Sequence, residues 1–399
     1  MELKKVCRLC GVGKKFKPVI DFGDCPLVNV LLKEGEKAET YPLKVIQCQN
    51  CSLVQVEEPL SGENIYQKQD YLYFTGDMPT TSEYFGDYAR DILTFEPEFV
   101  VEIGSNDGTM LKHFSGRALA LGIDPAINVA VRALKKVPTV SAFFDERLGK
   151  TIAKEWGRAD AIIANNCIAH IDDLEGVMKG IDALISDRGV LAIECNYWGA
   201  MVKNTNYALI YHDHFSYFSL NNWQDYLPKF DLELFDATVT PAQGGSLRLF
   251  AGRKGARILR DGAREILREE AETGLSSYKT CQAYEKNVGR EVGKLRELIK
   301  KIKKDGKTIA GYGAAAKGLS ALHLAGVENE LDYFVDDSPA KQGKFTPEGH
   351  KPVLSRLTVK NPDYFLITAP NYEQAIINKE TKYRSGGGRF VTLDSRVIE

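Results

Sequence analysis

Four of the eight cysteines stand in two pairs, Cys7 with Cys10 and Cys48 with Cys51, and two residues separate the members of each pair. This spacing lets both thiolates of a pair face one centre, and two such pairs make a closed tetrahedral zinc site. Because a four-cysteine site leaves no coordination position open, we expect a structural zinc that folds its module. The long separation between the pairs predicts an inserted hairpin or loop over residues 14–47. A redox dithiol, or cysteines without a shared role, is the alternative interpretation.

A glycine-containing segment, Glu102-Ile-Gly-Ser-Asn-Asp-Gly108, follows an apolar run. It predicts a buried strand, a tight turn and a helix start, which together present backbone N–H groups to a ligand. The G-x-G-x-x-G spacing of a dinucleotide site is missing, and this favours S-adenosylmethionine over NAD. Asp124, at the end of the next predicted strand, would accept hydrogen bonds from ribose hydroxyls, and Phe144 could border the adenine. The expected cofactor-binding residues are Glu102, Gly104, Ser105, Asn106, Gly108, Asp124, Phe144 and Asn165. A structural turn without a ligand is the alternative.

Histidines form the third group that could do chemistry. Only six occur in the chain, and two of them, His212 and His214, flank Asp213 in a tyrosine-rich segment. A third, His170, follows a predicted strand at the end where open α/β sheets bind substrate. A carboxylate beside an imidazole can orient it as a general base. A metal site built from the three histidines, or histidines without a chemical role, are the alternatives.

Composition shows what framework could hold these groups. The 399 residues, 44% hydrophobic and 27% charged, suit two or three ordinary globular domains. Alternating apolar strands and helical segments predict a doubly wound α/β domain in the middle of the chain. The net charge of −2 excludes a global positive field that would attract nucleic acid or an anionic membrane. No apolar run is long enough for a signal peptide or a membrane helix, so we expect a cytoplasmic protein.

In combination, these segments resemble the sugar C-methyltransferases that act on nucleotide-linked 4-keto-6-deoxyhexoses. The matching motifs are the four cysteines, Glu102–Gly108, Asn165–His170, Tyr211–His214, Gly244–Arg248 and Gly311–Gly318, in the family's order. The resemblance spans essentially the whole chain. It implies an α/β protein with an N-terminal zinc-binding module, a central class I (Rossmann-like) methyltransferase domain and a C-terminal Rossmann-like domain that closes over the sugar nucleotide.

The resemblance also implies a reaction. The C4 ketone acidifies the proton on C3, a base removes it, and the enolate carbon takes the methyl group of S-adenosylmethionine. By similarity His214 is the base, Tyr211 and Asp213 orient or tune it, and His170 faces the developing enolate. Family members commonly carry Glu at the position of Asp213. A tyrosine near the end of the zinc module, Tyr71 or Tyr73, also contributes. Methylation at C3 rests on the resemblance alone.

The chain after residue 230 carries the expected substrate-binding residues. Residues 231–253 predict two strands joined by a Gly-Gly loop, where Gly245 and Ser246 allow close backbone approach and Arg248 could meet a phosphate. A plain hairpin turn explains this loop equally well. A strand, glycine turn and helix recur over Lys307–Gly318, but Ala316 stands where the third fingerprint glycine would be expected. Lys317 could help to bind the sugar nucleotide, and a purely structural turn is again the alternative.

These features predict a zinc-binding module over residues 1–75, a methyltransferase domain over 76–256, a helical connector over 257–304 and a Rossmann-like domain over 305–399. The leading hypothesis is a C-methyltransferase that acts as a monomer or weak homo-oligomer, without nucleic-acid or membrane partners. One alternative is a nucleotide-sugar oxidoreductase that binds NAD at Gly311–Gly318. Another is a non-enzymatic zinc-ribbon protein that binds RNA or a protein partner.

Overall fold

A computed structural model describes residues 6–13, 15–60, 62, 73–77 and 81–399. Over these residues the chain forms three sheets, of four, seven and six strands. Tyr71 lies outside the described residues, whereas Tyr73 lies within them. None of the helices in the described ranges is both long and apolar enough to cross a membrane.

The N-terminal sheet holds the two cysteine pairs at one end, before the start of its first strand and at the end of its second. Its first three strands are β1 (Phe16–Pro26), β2 (Thr40–Cys48) and β3 (Val54–Val56), and all pair antiparallel. Strands β1 and β2 form the hairpin predicted between the cysteine pairs. The fourth strand, β9 (Ser216–Tyr217), comes from the histidine-containing segment and pairs with β3. One sheet therefore joins the cysteine-rich module to the predicted catalytic segment.

The central sheet has the order β10-β11-β8-β7-β4-β5-β6. Its strands are β4 (Phe99–Ile103), β5 (Leu119–Ile123), β6 (Thr139–Val140), β7 (Ala159–Asn165), β8 (Ile185–Asn196), β10 (Leu232–Thr240) and β11 (Ser246–Arg253). Strands β4 to β8 run parallel, and β11 pairs antiparallel with both β8 and β10. All five residues of β4 are buried, as expected for a strand covered on both faces. The doubly wound α/β prediction is confirmed, and the two strands predicted over 231–253 complete this sheet.

Helices cover both faces of the central sheet. They are α1 (Thr81–Leu93), α2 (Ile127–Ala133), α3 (Glu146–Glu155), α4 (Leu174–Leu184), α5 (Trp198–Asn204) and α6 (Leu220–Tyr226). The side chains of Asp145 and Asp173 accept hydrogen bonds from the first turns of α3 and α4. These two helices touch through glycines, because a Cβ on Gly149 would lie 2.4 Å from the Gly180 carbonyl oxygen.

Two further helices, α7 (Asp261–Glu272) and α8 (Tyr278–Lys304), connect the central sheet to the last one. Buried apolar residues recur every three or four positions along α8, so this charged helix packs along one stripe. The buried carboxylate of Glu270 in α7 accepts hydrogen bonds from the amides of Leu220 and Asn221 at the start of α6. The connector is therefore fastened to the central domain by its own side chains.

The C-terminal sheet has the order β14-β13-β12-β15-β16-β17 and is parallel except for its last pair. Its elements are β12 (Ile309–Tyr312), α9 (Ala316–Ala325), β13 (Phe334–Val335), β14 (Val353–Leu354), β15 (Tyr364–Ile367), α10 (Glu373–Lys379), α11 (Thr381–Ser385), β16 (Arg389–Val391) and β17 (Val397–Ile398). Helix α9 docks this sheet on the rest of the molecule. Its Ser320 hydroxyl donates to the Ile210 carbonyl, and its His323 Nε2 lies 2.9 Å from the Phe22 carbonyl oxygen in β1.

Candidate active site

The four paired cysteines converge on one point. The Sγ atoms of Cys7 and Cys51 lie 3.4 Å apart, those of Cys10 and Cys48 lie 3.7 Å apart, and all four fall within 4.8 Å of one another. A tetrahedral zinc with Zn–S bonds of about 2.3 Å separates its sulfurs by about 3.8 Å, so the set fits a Zn²⁺ ion. Among the described residues it is the only group of this kind, which removes the three-histidine metal alternative there.

The predicted cofactor turn follows β4. Gly104 has a φ of +68°, and a Cβ there would lie 2.5 Å from the Cβ of Cys167, so the turn needs glycine on both counts. The Asp124 carboxylate, at the end of the neighbouring strand, accepts hydrogen bonds from the amides of Asn106 and Ala126, each at 2.9 Å. Burial raises the pKa of Asp124 to about 6. The carboxylate thus lies at the end of β5, beside the turn, and its role as the ribose ligand stays a prediction.

Two groups at this turn lack partners in the described part of the chain. The Oε2 atom of Glu102 and the hydroxyl of Ser105 are buried without hydrogen bonds. Burial, together with the charges of Asp124 and Asp107, raises the pKa of Glu102 well above its ordinary value. A buried acidic cluster of this kind suits a ligand with positive charge. S-adenosylmethionine carries a sulfonium and an ammonium group, so the residues present fit it.

Two other predicted cofactor residues have different surroundings. Phe144 is buried and packs towards α4, where a Cβ on Gly180 would meet its ring at 2.8 Å. Phe143, its neighbour, is the exposed aromatic, at 42%, and the contact of Phe144 with the adenine stays a prediction. Asn165 ends β7, and its side-chain oxygen accepts a hydrogen bond from the side-chain amide of Asn166 at 2.9 Å.

Residues 73–77 lie across the cofactor turn and are fastened to it. The Asn106 side chain donates to the Tyr73 carbonyl at 3.0 Å and accepts from the Thr75 amide at 2.9 Å. The buried Asp107 carboxylate accepts from the Thr75 hydroxyl and from the Gly76 amide. Tyr73, whose side chain is 39% exposed, is thereby placed beside the cofactor turn.

His214 is buried and held at both ring nitrogens. Its Nδ1 lies 2.6 Å from the Leu209 carbonyl oxygen, and its Nε2 lies 2.8 Å from the Tyr211 hydroxyl. The Asn196 side-chain nitrogen, a donor, lies 3.1 Å from Nδ1, but the Leu209 oxygen is closer, and because a carbonyl only accepts, we assign the proton to Nδ1 and the acceptor role to Nε2. Burial, the neighbouring His170 and Lys317 together lower the pKa of His214 well below its ordinary value. The ring is therefore a neutral imidazole with a proton-accepting Nε2.

His170 lies against His214, with ring centroids 4.8 Å apart in an edge-on arrangement. Burial lowers the pKa of His170 to about 4, partly opposed by hydrogen bonds to the backbone of Asp213 and Asn166. The same short segment touches the cofactor turn, because the Cys167 thiol donates to the Ile103 carbonyl at 3.0 Å. The two histidines therefore adjoin the predicted cofactor site.

Asp213 does not orient His214 as expected. In the described chain its carboxylate makes no hydrogen bond to the imidazole and instead accepts one from the side-chain amide of Asn29, which belongs to the zinc module. Burial raises the pKa of Asp213 to about 6, with Asn29 opposing the shift. His212 also turns to the zinc module, with Nε2 3.2 Å from the Tyr41 carbonyl oxygen.

Lys317, at the start of α9, meets the central domain at the turn Ala242–Gly244. Its Nζ lies 2.6 Å from Gln243 Oε1 and 3.0 Å from Asn371 Oδ1, and the Tyr73 hydroxyl also hydrogen bonds to Gln243. Desolvation lowers the pKa of Lys317 to about 7. The predicted Gly245 and Ser246 adjoin this turn. Gly245 packs on Ala200, and the Ser246 hydroxyl donates to the Ala242 carbonyl.

Arg248 corrects another expectation. Its guanidinium is buried and donates to Glu194 at 2.8 Å, to Asp91 at 2.9 Å and to the Tyr84 hydroxyl at 2.9 Å. It also stacks on Tyr88, 3.6 Å from the ring centroid. The fully buried Glu194 carboxylate beside it explains the placement, because a buried charge needs a partner. Arg248 is an internal counter-ion and does not extend towards a phosphate.

Three groups around the histidines were missed from sequence. The Asn196 amide nitrogen lies 3.1 Å from His214 Nδ1, and its position at the end of β8 was an available signal. The Leu209 carbonyl and the Asn29 amide carry no such signal. A backbone atom is invisible to residue type, and Asn29 reaches the site only through docking of the zinc module.

Three family models match consecutive parts of the chain. A candidate zinc binding domain matches residues 7–66, a methyltransferase domain matches 81–237, and a C-methyltransferase C-terminal domain matches 241–393. The C-methyltransferase NovU of Streptomyces niveus is 32% identical over 398 residues, which cover 96% of this chain and 94% of that protein.

Solved structures match only part of the chain. The plantazolicin methyltransferase BpumL, in complex with an analogue and SAH, shares 15% identity over 45% of this chain and 86% of its own, with a TM-score of 0.36. An S-adenosylmethionine-dependent methyltransferase from Anabaena variabilis shares 15% identity over 49% of this chain and 100% of its own, with a TM-score of 0.36. The full-length relative bears on the family of this chain, and these partial structures do not.

Proposed function

Because the chain belongs to the S-adenosylmethionine-dependent C-methyltransferases with an N-terminal zinc-binding domain, we propose that it methylates a nucleotide-linked 4-keto-6-deoxysugar at C3, beside the C4 ketone. The observation that carries the proposal is the neutral His214, whose Nε2 is its only proton-accepting ring atom. It lies against His170, on a segment that touches the cofactor turn. A carbon acid and a methyl donor could meet there.

His214 Nε2 takes the C3 proton in this scheme. The Leu209 carbonyl fixes the tautomer, and the Tyr211 hydroxyl, which hydrogen bonds to the single lone pair of Nε2 in the absence of substrate, moves off it when the C3 proton is transferred. An imidazole is a weak base against a carbon acid, since each pKa unit of mismatch is worth about 1.4 kcal/mol. Removal of the proton therefore depends on stabilising the enolate oxygen as negative charge develops.

His170 supplies that stabilisation in the proposal. It is neutral over the physiological range, because burial lowers its pKa to about 4, so the ring carries one N–H, and this N–H must turn from its backbone partners to the enolate oxygen when substrate binds. Lys317 adds positive charge near His214, and this charge contributes to the lowered pKa of His214. Both groups would favour the enolate over the ketone.

S-adenosylmethionine, when bound, supplies an electrophilic methyl group. Glu102, Ser105 and Asp124 would hold its charged and ribose portions, and Gly104 keeps the turn open to it. Residues 73–77, fastened by Asn106 and Asp107, would exclude water from the same side. Tyr73 is the tyrosine of the zinc module that we propose to face the sugar.

The nucleotide portion of the substrate carries negative charge, and Lys317 is the group proposed to meet it. Its pKa near 7 results from desolvation, and an approaching phosphate would raise it again. Gln243 and Asn371 hold Nζ until then. Because Arg248 is paired with Glu194 and Asp91, it does not bind phosphate in this scheme. Gly245 and Ser246 are proposed to contact the substrate only through their backbone atoms.

Deuterium exchange at C3 tests the proposal, because it separates proton removal from methyl transfer. A panel of 4-keto-6-deoxysugar nucleotides is incubated with the protein in D₂O without methyl donor, and exchange is followed by NMR. We expect exchange with the native chain, and a loss of about 100-fold or more in His214→Gln, as for removal of a general base. His212→Gln is the matched control, because His212 faces Tyr41 and should leave exchange unchanged.

Calorimetry with S-adenosylmethionine and NAD separates this function from an oxidoreductase. We expect binding heat with S-adenosylmethionine. Heat with NAD alone would overturn the proposal, and so would native exchange rates in His214→Gln.

A further inference from the structure

We propose that Arg8 is a positioning residue through which the zinc-binding cysteine loop holds both histidine segments of the active site in register. The inference rests on the proposed roles of His170 and His214. It assigns to the zinc module a function in catalysis that goes beyond folding its own sheet.

Arg8 lies between two of the zinc-binding cysteines, Cys7 and Cys10, yet its side chain points away from them. That side chain is only 4% exposed. Its Nε donates to Asp172 Oδ1 at 2.9 Å, and its Nη1 donates to the carbonyl oxygens of Val56 at 2.9 Å and Phe215 at 3.2 Å. One guanidinium thus joins three separate segments of the chain.

Two of those segments carry the histidines. Asp172 lies two residues after His170, and Phe215 directly follows His214. The segments also touch each other, because the Phe215 amide donates to the Ala169 carbonyl at 2.7 Å. Arg8 closes this arrangement from the side of the zinc module, with its guanidinium 5.6 Å from the Phe215 ring centroid.

The backbone at Arg8 is fixed as firmly as its side chain. Its amide donates to Gln55 Oε1 at 3.1 Å, and Gln55 Nε2 donates in turn to the Val6 carbonyl at 3.2 Å. Gln55 lies in β3, opposite Ser216 in β9. The cysteine loop, β3 and the histidine segment therefore form one connected unit, and Arg8 is its shared side chain.

The planar guanidinium explains why arginine stands here. It offers donors in fixed directions, whereas lysine offers one compact charge on a flexible stem and reaches fewer acceptors at once. The position of the histidines matters for the reaction, because a displacement of a catalytic group by about 1 Å can lower the reaction rate about 100-fold. A change at Arg8 should shift His170 relative to His214 and leave the cofactor turn, which Arg8 does not contact, unchanged.

The test compares Arg8→Lys and Arg8→Met with Lys229→Gln. Lys229 is the matched control, because its Nζ donates to the Leu9 carbonyl of the same cysteine loop at 3.3 Å without contacting either histidine segment. For each full-length variant we would measure bound zinc, the Kd for S-adenosylmethionine, C3 exchange, kcat and KM, and the imidazole nitrogen NMR signals. Asp172→Asn, which alters only the His170 side of the contact, is included in case Arg8→Met does not fold.

We expect Arg8→Lys to keep one zinc per chain and a Kd for S-adenosylmethionine within twofold of the native value. Exchange and kcat should fall together by at least tenfold, and the signals of His170 and His214 should shift. Lys229→Gln should match the native chain, and Asp172→Asn should shift the His170 signal more than that of His214.

Native kcat and unmoved imidazole signals in Arg8→Lys would overturn the inference. Loss of zinc from that variant would also overturn it, because Arg8 would then serve the metal site itself. The NMR signals require no substrate. If the native chain shows no exchange with any ketosugar nucleotide, the proposed function fails while the positioning of the histidines by Arg8 is still decided.

Discussion

Tyr211 and His214 lie ring beside ring, with centroids 4.0 Å apart and the tyrosine hydroxyl 2.8 Å from Nε2. Nδ1 donates to the Leu209 carbonyl, so the Tyr211 hydroxyl is the hydrogen-bond donor that orients the basic nitrogen, Nε2. A phenol and a backbone carbonyl thus fix the orientation and tautomer of the His214 ring, whereas the neighbouring carboxylate of Asp213 faces the zinc module.

Tyr211→Phe should lower kcat by about 10- to 100-fold with little change in KM, because the imidazole of His214 would no longer be held in its orientation while its basicity is unchanged. Steady-state kinetics with the ketosugar substrate measure the effect. Tyr217→Phe is the matched control. Tyr217 also packs on the edge of His214, but its hydroxyl faces the backbone of Tyr211 and does not hydrogen bond to the imidazole. Equal losses in both variants would show that ring packing, rather than the hydroxyl, positions the base.

Affinity for S-adenosylmethionine should weaken as the pH falls through about 6, the pKa to which burial raises Asp124. Only the ionised carboxylate accepts from both its backbone amides and a ribose hydroxyl, so protonation removes acceptors. Calorimetric Kd values between pH 5 and 8 measure this dependence, and Asp124→Asn should flatten it.

The raised pKa of Asp124 changes stability with pH in the opposite direction to its effect on cofactor affinity. Because the folded-state pKa of Asp124 lies above its unfolded value, Asp124 binds more protons in the folded chain. Its contribution to the free energy of unfolding therefore falls as the pH rises from about 4 to 6. Urea unfolding of the native chain and Asp124→Asn across this range tests the sign.

Gly104→Ala should weaken cofactor binding and slow C3 exchange together, because the added methyl would press on Cys167 in the segment that carries His170. Gly116→Ala is the control for backbone strain alone. Gly116 has a similar φ of +73°, but no atom would lie within 4 Å of its new Cβ. We expect Gly116→Ala to cost about 1 kcal/mol or more in unfolding free energy and to leave both activities intact. Comparable loss of binding in the two variants would contradict the proposed contact.

Arg248→Met should destabilise the fold by about 3–5 kcal/mol, because the Glu194 carboxylate would remain buried without its counter-ion. Urea unfolding measures the change. Arg260→Met removes an exposed pair with Asp236 at 3.0 Å and should cost less than about 1 kcal/mol. If Arg248→Met instead kept native stability and raised only the KM for the sugar nucleotide, the internal role of Arg248 would be wrong.

Residue spacing and hydrophobic pattern within short segments were enough to predict the zinc site and the central sheet. Cysteine spacing predicted a zinc site that the four Sγ atoms fit, and apolar strands around Glu102–Gly108 predicted the central fold. Prediction failed where a side chain could point either into the protein interior or towards the substrate. Arg248 turns inward because Glu194 lies beside it on the neighbouring strand, and this choice is not visible without tertiary packing.

The contacts of the zinc module with the histidines were also beyond sequence reasoning. Arg8 lies 164 positions from Asp172 and 207 from Phe215, and Asn29 lies 184 positions from Asp213, so no local sequence periodicity links these contacts. Their roles follow from the pairing of β3 with β9, which brings the two ends of the site together.

That pairing also sets an order of events during synthesis. A ribosome that has released the first 75 residues has released all four zinc ligands but only three of the four strands of their sheet. The edge of β3 stays unpaired until residue 217 has emerged, and an open strand edge is a place where chains mispair. The module that comes first along the chain is therefore completed only after the central domain has largely been made.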